Sequence, residues 1–315
     1  MSASLKLSTL TSKLGAYFRT NNGVFMPRVA QGLDILKHVS IKQVKDELPL
    51  ITIGGPSLVR PSLRDNAWNP TADAIEYIPR ILKVRPCKVD LSIVPAELWA
   101  TYLGEQAKRG ASNQQAIPME AFMFQYIVER TAEDVGTKAI FGGTYNASGT
   151  TPADIFDGWL KIVTDEITGG GIAAGQVTSG AAITSSNAYD QVLLVYKKVP
   201  AALRGKKLKC FMSYATFDAF NEDYGSQFTA APYNMTYEKA MLPGTNVELV
   251  PSAEMGSSSR IIITTPDNLV LGVDMLSDHE HINLQQNRRG LDLMIDFSMG
   301  VQIADTRLIF CNNQA

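Results

Sequence analysis

Between residues 291 and 303 every odd position is apolar. Leu291, Leu293, Ile295, Phe297, Met299, Val301 and Ile303 occupy every odd position, with Asp292, Met294, Asp296, Ser298, Gly300 and Gln302 between them. Successive side chains of a β-strand point to opposite faces, so the pattern predicts a strand with one buried face. At about 3.4 Å per residue it spans roughly 43 Å, far beyond the usual five or six residues. A compact domain rarely needs such an element, whereas an assembly in which neighbours lie along it does.

A helix of similar reach is predicted over 118–140. Pro118 suits its first turn, and Glu120 there complements the positive end of the helix dipole. Ala121, Phe124, Val128, Ala132, Val135 and Ala139 form a stripe, Asp134 and Lys138 make an i,i+4 pair, and Gly142-Gly143 end it. At 1.5 Å per residue it runs about 34 Å, and its alanines allow close approach to a flat surface. It is expected to lie along the sheet that holds the long strand.

Pro49, Pro56, Pro61, Pro70, Pro79 and Pro86 exclude a central strand or long helix from the segment they punctuate. Two extended pieces remain, 50–53 going out and 77–84 coming back, around a polar middle whose one large apolar side chain is Trp68. The expectation is a long two-stranded loop that leans on its own domain or on a neighbouring chain, since an isolated hairpin is marginal. Its returning edge carries Arg80, Lys83, Arg85 and Lys88, which suit rim contacts with an acidic surface or simply solvation. Upstream, Leu7, Leu10, Leu14 and Phe18 recur at helical spacing among Lys6, Lys13, Arg19 and Arg28. This is either an arm that docks on a neighbour or an ordinary weak terminal helix.

Further elements follow. Thr151 and Pro152 open a helix with Ile155, Phe156, Trp159, Leu160, Val163 and Ile167 on its apolar face. Residues 168–186 read as a loop and 188–198 as a third helix. Strands are expected at 208–214 and 247–250, with a hairpin pairing 260–264 with 269–273 across Pro266-Asp267-Asn268. Residues 282–286 turn into the long strand, and a short strand at 308–311 closes the chain.

Signals of catalytic chemistry are sparse. Gly169-Gly170-Gly171-Ile172-Ala173-Ala174 matches GxGxxA, but no strand–turn–helix surrounds it, and neither a phosphate-loop GxxxxGK[ST] nor a GxSxG elbow occurs. His279 and His281 flank Glu280 near Asp274 and could share a metal on one strand face, or sit in solvent as loop residues. Asp292 and Asp296 share a face about 14 Å apart, too far for a carboxylate pair. No catalytic group, cofactor or metal is therefore expected. The 29 Lys and Arg balance 31 Asp and Glu, a formal charge of −2, which argues against a basic nucleic-acid-binding coat. Cys87, Cys210 and Cys311 are scattered and fit reduced thiols, and no apolar run reaches 18 residues, so neither secretion nor a membrane partner is expected.

The order of these elements resembles the major capsid proteins of tailed double-stranded DNA phages, with the α+β Hong Kong 97-type fold. The resemblance covers nearly the whole chain. It runs through the basic arm, the long loop returning by Ile81-Leu82-Lys83-Val84 into Val94-Pro95-Ala96-Glu97-Leu98, and the long helix ending in Phe141-Gly142-Gly143. Phe156-Asp157-Gly158-Trp159, Val199-Pro200-Ala201-Ala202-Leu203-Arg204, Leu242-Pro243-Gly244 and the closing strands with Ser298-Met299-Gly300-Val301 continue it. It implies an N-terminal arm at 1–44, an extended loop at 45–90, a peripheral domain at 91–150 and 281–315 with its spine helix at 118–140, and an axial domain at 151–280. It further implies self-assembly as pentamers and hexamers into an icosahedral virion shell around packaged double-stranded DNA, without sequence-specific binding. A separate scaffolding protein and a portal are the expected partners, with assembly in the host cytoplasm. Leu7, Leu10, Leu14, Phe18, Trp68, Arg80, Lys83, Arg85 and Lys88 are the inter-subunit contacts expected from this reading. The family's lysine–asparagine crosslink is not carried over, because Lys83 and Lys88 lie in the returning strand rather than at the tip. Two rivals stand beside it: a bacterial nanocompartment shell of the same fold, and a two-domain α+β enzyme with a cleft in 151–280.

Overall fold

The computed structural model describes residues 16–17, 29, 32–55, 57–59, 75–94, 119–227, 240–274, 282–287 and 290–314. Its first half carries the strands β1 (Ser40–Gln43), β2 (Glu47–Gly54), β3 (Glu76–Lys83) and β4 (Arg85–Ile93), then helix α1 (Met119–Asp134). Next come α2 (Trp159–Gly169), β5 (Val177–Thr178), α3 (Ala188–Lys197), α4 (Ala201–Arg204), β6 (Leu208–Ser213) and α5 (Tyr214–Gln227). The chain closes with β7 (Val247–Ser252), β8 (Ile262–Thr264), β9 (Leu269–Val273), β10 (Ile282–Asn287), β11 (Gly290–Ile303) and β12 (Phe310–Asn312).

The alternating stretch is β11, and every odd residue from Leu291 to Ile303 is buried. Its length serves three partners. Residues 291–299 pair with β4, 290–295 with β10 and 299–303 with β9, all antiparallel, while β1 extends the sheet by a parallel pairing with β9. Gly300 is required where β11 passes the end of β3, because a Cβ there would collide with the Lys83 carbonyl.

Helix α1 runs on without a break into a π-helical turn, Val135–Ile140. Buried residues recur in pairs every four positions: 123/124, 127/128, 131/132, 135/136 and 139/140. An α-helix completes a turn in 3.6 residues, so a strict four-residue repeat drifts round the helix. The wider i→i+5 turn at the end rotates the stripe back toward the core. These residues and the odd residues of β11 share one apolar core with Trp159, Val163 and Leu269, as expected from the matched lengths. Leu33 and Ile35, ahead of β1, belong to the same core, and Gly136 is small enough to admit Leu33.

The second sheet runs β5-β12-β8-β6-β7. Its core, with Val192, Val195, Phe220 and Phe310, is covered by α3 and α5. Three sequence expectations need correcting. Residues 262–264 and 269–273 do not form a hairpin: β8 pairs with β6 and β12 in the second sheet, β9 with β1 and β11 in the first. Asn268 makes the crossing, its amide donating to Thr264 Oγ1 and to the Asp305 carbonyl and its carbonyl accepting from Asp305 N. For the same reason residues 310–312 lie in the second sheet rather than with the first, and 269–273 in the first. Finally, the helix opened by Thr151 stops after a 3-10 turn, Pro152–Asp154, and restarts at Trp159. Here the backbone joins the end of the long helix through Gly158 N to Gly143 O and Leu160 N to Phe141 O, and Gly158 fits tightly against Phe141.

Candidate assembly surface

The proline-punctuated loop is a two-stranded antiparallel sheet of β2 and β3, with Glu47 opposite Lys83 and Gly54 opposite Glu76. Cross-strand partners share a face. One face therefore holds Leu48, Leu82, Leu50, Arg80, Thr52 and Ile78, and the other holds Pro49, Ile81, Ile51, Pro79, Ile53 and Tyr77.

The first face is anchored to its own chain. Leu82, Val84, Val44 and Val270 form a small core flanked by Leu48 and Leu50. The Arg80 guanidinium donates to the Ile303 carbonyl (2.8 Å), Glu166 Oε1 (2.7 Å) and Gln302 Oε1 (3.2 Å). Gln302 returns a bond to the Ile81 carbonyl (2.9 Å), and Trp159 Nε1 donates to the Gln302 carbonyl (3.2 Å). Farther out, Arg307 reaches the Ile53 carbonyl (3.3 Å), held in a two-pronged pair with Asp305. Burial alone would raise the Asp305 carboxyl, but bonds from the Arg307 side chain and backbone, with the charges of Arg307 and Arg80, hold it below its ordinary value.

Among the described residues, none anchors the second face in this way. Ile51, Ile53, Tyr77 and Ile81 are 59, 66, 65 and 53% exposed, with Pro49 and Pro79 exposed between them. Contiguous apolar exposure of this kind, rimmed by charge, marks an interaction surface. The sequence reading fixed on the charges and missed these residues. The available signal was Leu48-Pro49-Leu50-Ile51-Thr52-Ile53, which is apolar at both parities and so has two faces to cover.

The four basic candidates do different things. Arg80 is turned inward, its side chain only 15% exposed beside Glu166, so it fixes the hairpin rather than lining its rim. Lys83 pairs with Glu47, and the Arg85 guanidinium lies 4.0 Å from the Tyr145 ring centroid. Lys88 is exposed and pairs with Asp90 at 2.7 Å, which raises its pKa. Leu7, Leu10, Leu14, Phe18, Trp68, His279 and His281 lie outside the described residues. Of the arm's helix, Ala16 and Tyr17 are described as helical, with Tyr17 edge-on to Phe124 at 6.0 Å. Among the described residues no group of three or more His, Cys, Asp and Glu is arranged to hold a metal, and no helix is long and apolar enough to cross a membrane.

No protein-family model matches the sequence, and no curated protein does. Solved structures match along almost its full length. A chain of the satellite phage P4 procapsid that includes the size determination (Sid) protein aligns with a TM-score of 0.56 at 13% identity, covering 92% of this chain and 89% of that one. The capsid of the native GTA particle aligns with a TM-score of 0.55 at 12% identity, covering 89% and 96%. The SrpI encapsulin complex from Synechococcus elongatus aligns at 0.50 and 10% identity, covering 88% and 85%. The chain thus has the α+β Hong Kong 97-type capsid-shell fold.

Proposed function

We propose that this protein is a structural major capsid subunit of the tailed-phage type, which closes through pentamers and hexamers into an icosahedral shell around double-stranded DNA. The observation that carries the proposal is the two-faced hairpin: anchored on one side by Arg80, Gln302 and Arg307, it presents Ile51, Ile53, Tyr77 and Ile81 on the other. A neighbouring subunit is the occupant that a capsid-shell fold supplies. Covering four side chains that are more than half exposed is worth roughly 4–6 kcal/mol before the cost of association. One such contact is weak, but many repeated around a closed shell are enough. On this reading the stretch ahead of the core residues Val29, Leu33 and Ile35 reaches toward neighbours as an arm, the first sheet with α1 forms the peripheral part, and the second sheet with α3 and α5 the axial part. Lys83, Arg85 and Lys88 then lie near the subunit boundary, while a separate scaffold and a portal guide assembly into the virion.

Electron microscopy of the expressed protein, alone and with its scaffold, tests this. Wild type is expected to form capsomers or shells. Ile51→Asp with Tyr77→Asp is expected to leave a folded monomer with unchanged circular dichroism. A wild type that stays monomeric under every condition, or a double variant that assembles normally, refutes it. The alignment with an encapsulin supports a second reading, a nanocompartment shell. Particles that contain protein cargo and no DNA would establish that reading instead.

A further inference from the structure

The second sheet carries a face whose charges are sorted by sign. On α3 the exposed residues are Asp190, Leu194 and Lys197, a stripe at i, i+4 and i+7, with Lys198 just beyond. Asp190 and Lys197 lie about 10 Å apart along the axis. Two contacts extend the poles. The buried Asp223 of α5 accepts from Tyr189 N (2.8 Å) and so holds that end of α5, with exposed Asp218 and Glu222, at the start of α3. At the other end, Arg204 donates to the Val199 carbonyl (2.9 Å) and the Lys197 carbonyl (3.1 Å). This ties the turn that leads to exposed Lys206 and Lys207 to the C-terminal end of α3, which carries Lys197 and Lys198.

Several exposed lysines elsewhere pair with local carboxylates, as Lys37 does with Asp34, Lys88 with Asp90, Lys138 with Asp134 and Lys161 with Asp165, although Lys42 and Lys45 do not. Among the described residues, Lys197, Lys198, Lys206, Lys207, Asp190, Asp218 and Glu222 have no ion-pair partner. The helix dipole accounts for one charge at each end of α3. It does not account for Lys206 and Lys207, or for Asp218 and Glu222, which lie on other elements.

Resting on the shell reading, we infer that this α3–α5 face is a contact between two copies of the chain, the acidic pole of one against the basic pole of another, with Leu194 between them. A polyanion such as nucleic acid is the poorer occupant, because an acidic pole about 10 Å away on the same face would repel it.

Charge reversal tests the pairing. Lys206→Glu with Lys207→Glu, and separately Asp218→Lys with Glu222→Lys, should each lower the yield of assembled particles roughly tenfold or more at physiological salt, because like charges then face each other at positions 206 and 207 against 218 and 222. All four substitutions in one chain should restore the yield to about that of wild type, since positions 206 and 207 again oppose 218 and 222 in sign while Lys197, Lys198 and Asp190 are untouched. Circular dichroism and thermal melts should be unchanged throughout, as these are surface positions. Either single-pole reversal assembling as well as wild type overturns the contact and leaves the shell reading intact. A folded four-fold variant that stays unassembled also overturns it. A polyanion site would reveal itself if the acidic-pole reversal kept full assembly and bound DNA more tightly. A wild type that never assembles refutes the shell reading and this contact together.

Discussion

Arg80→Met separates the hairpin's anchorage from the fold as a whole. Methionine keeps most of the aliphatic stem and removes the guanidinium that joins β3 to the Ile303 carbonyl, Gln302 and Glu166. A hydrogen bond to a charged group contributes about 1.5–3 kcal/mol when buried, but Glu166 is a quarter exposed, which favours the low end for the ionic part. The loss is about 2–3 kcal/mol, and it falls on the hairpin because β11 keeps its ladders to β4, β10 and β9. Hydrogen exchange should read this directly. Amides of β2 and β3 should exchange roughly 30- to 150-fold faster, those of β11 and α1 should change little, and assembly should drop in parallel. Arg80→Lys, which retains the charge without the planar fork, should fall between the two. Exchange within about threefold of wild type in β2 and β3, together with normal assembly, would refute the idea that this side chain holds the hairpin.

The other predictions concern the core and the hairpin's outer support. Ile295→Asp or Phe297→Asp, at 2 and 6% exposure, should abolish folding rather than assembly alone, because each buries an unpaired charge; a soluble capsomer carrying either refutes it. The three thiols should resist alkylation at pH 8 in the native protein and react after denaturation, since burial pushes Cys87 up to about 12 and Cys311 up to about 11, and Cys210 is likewise raised. Rapid native labelling of Cys87, read by mass spectrometry, would contradict that. Asp305 has a depressed folded-state pKa, so its contribution is complete above the unfolded carboxylate value of about 3.9 and is lost as pH falls through the folded one. Arg307 should then release the Ile53 carbonyl, and limited proteolysis of the hairpin by an acid protease should accelerate as pH falls below about 3.9 in wild type but not in Asp305→Asn.

What the sequence made legible follows from how many faces an element buries. The β11 stretch buries one, so its alternation gave length, orientation and core residues together. The spine helix was legible for the same reason, though its final π turn was not, since its apolar stripe reads alike in either helix. β8 and β9 are buried on both faces, which erases the alternation, and a turn-rich link such as Pro266-Asp267-Asn268 serves a crossing between sheets as well as a hairpin. The break before Trp159 was hidden because Ile155, Phe156 and Trp159 continue an apolar stripe, while the backbone bonds to Phe141 and Gly143 that interrupt it are long-range. At the assembly surface the extended strands were legible. Their two faces were not, because telling the anchored face from the free one requires knowing that Arg80 meets Ile303, 223 residues away.

That separation explains why β11 is long. Its first part only has to hold β4 and β10, and six to nine residues do that. The remaining residues carry it past β9 to Gln302 and Ile303, where Arg80, Ile81 and Trp159 converge. Four residues past Ile303, Arg307 supports the hairpin again before β12 enters the second sheet. A pull on the exposed face of the hairpin therefore passes into the strand with the most ladder bonds and, through its continuation, into both sheets. A shorter strand would lose Val301 and Ile303 from the core and the Ile303 carbonyl that Arg80 holds. The length of 291–303 thus belongs to the anchoring of the contact surface as much as to the core behind it.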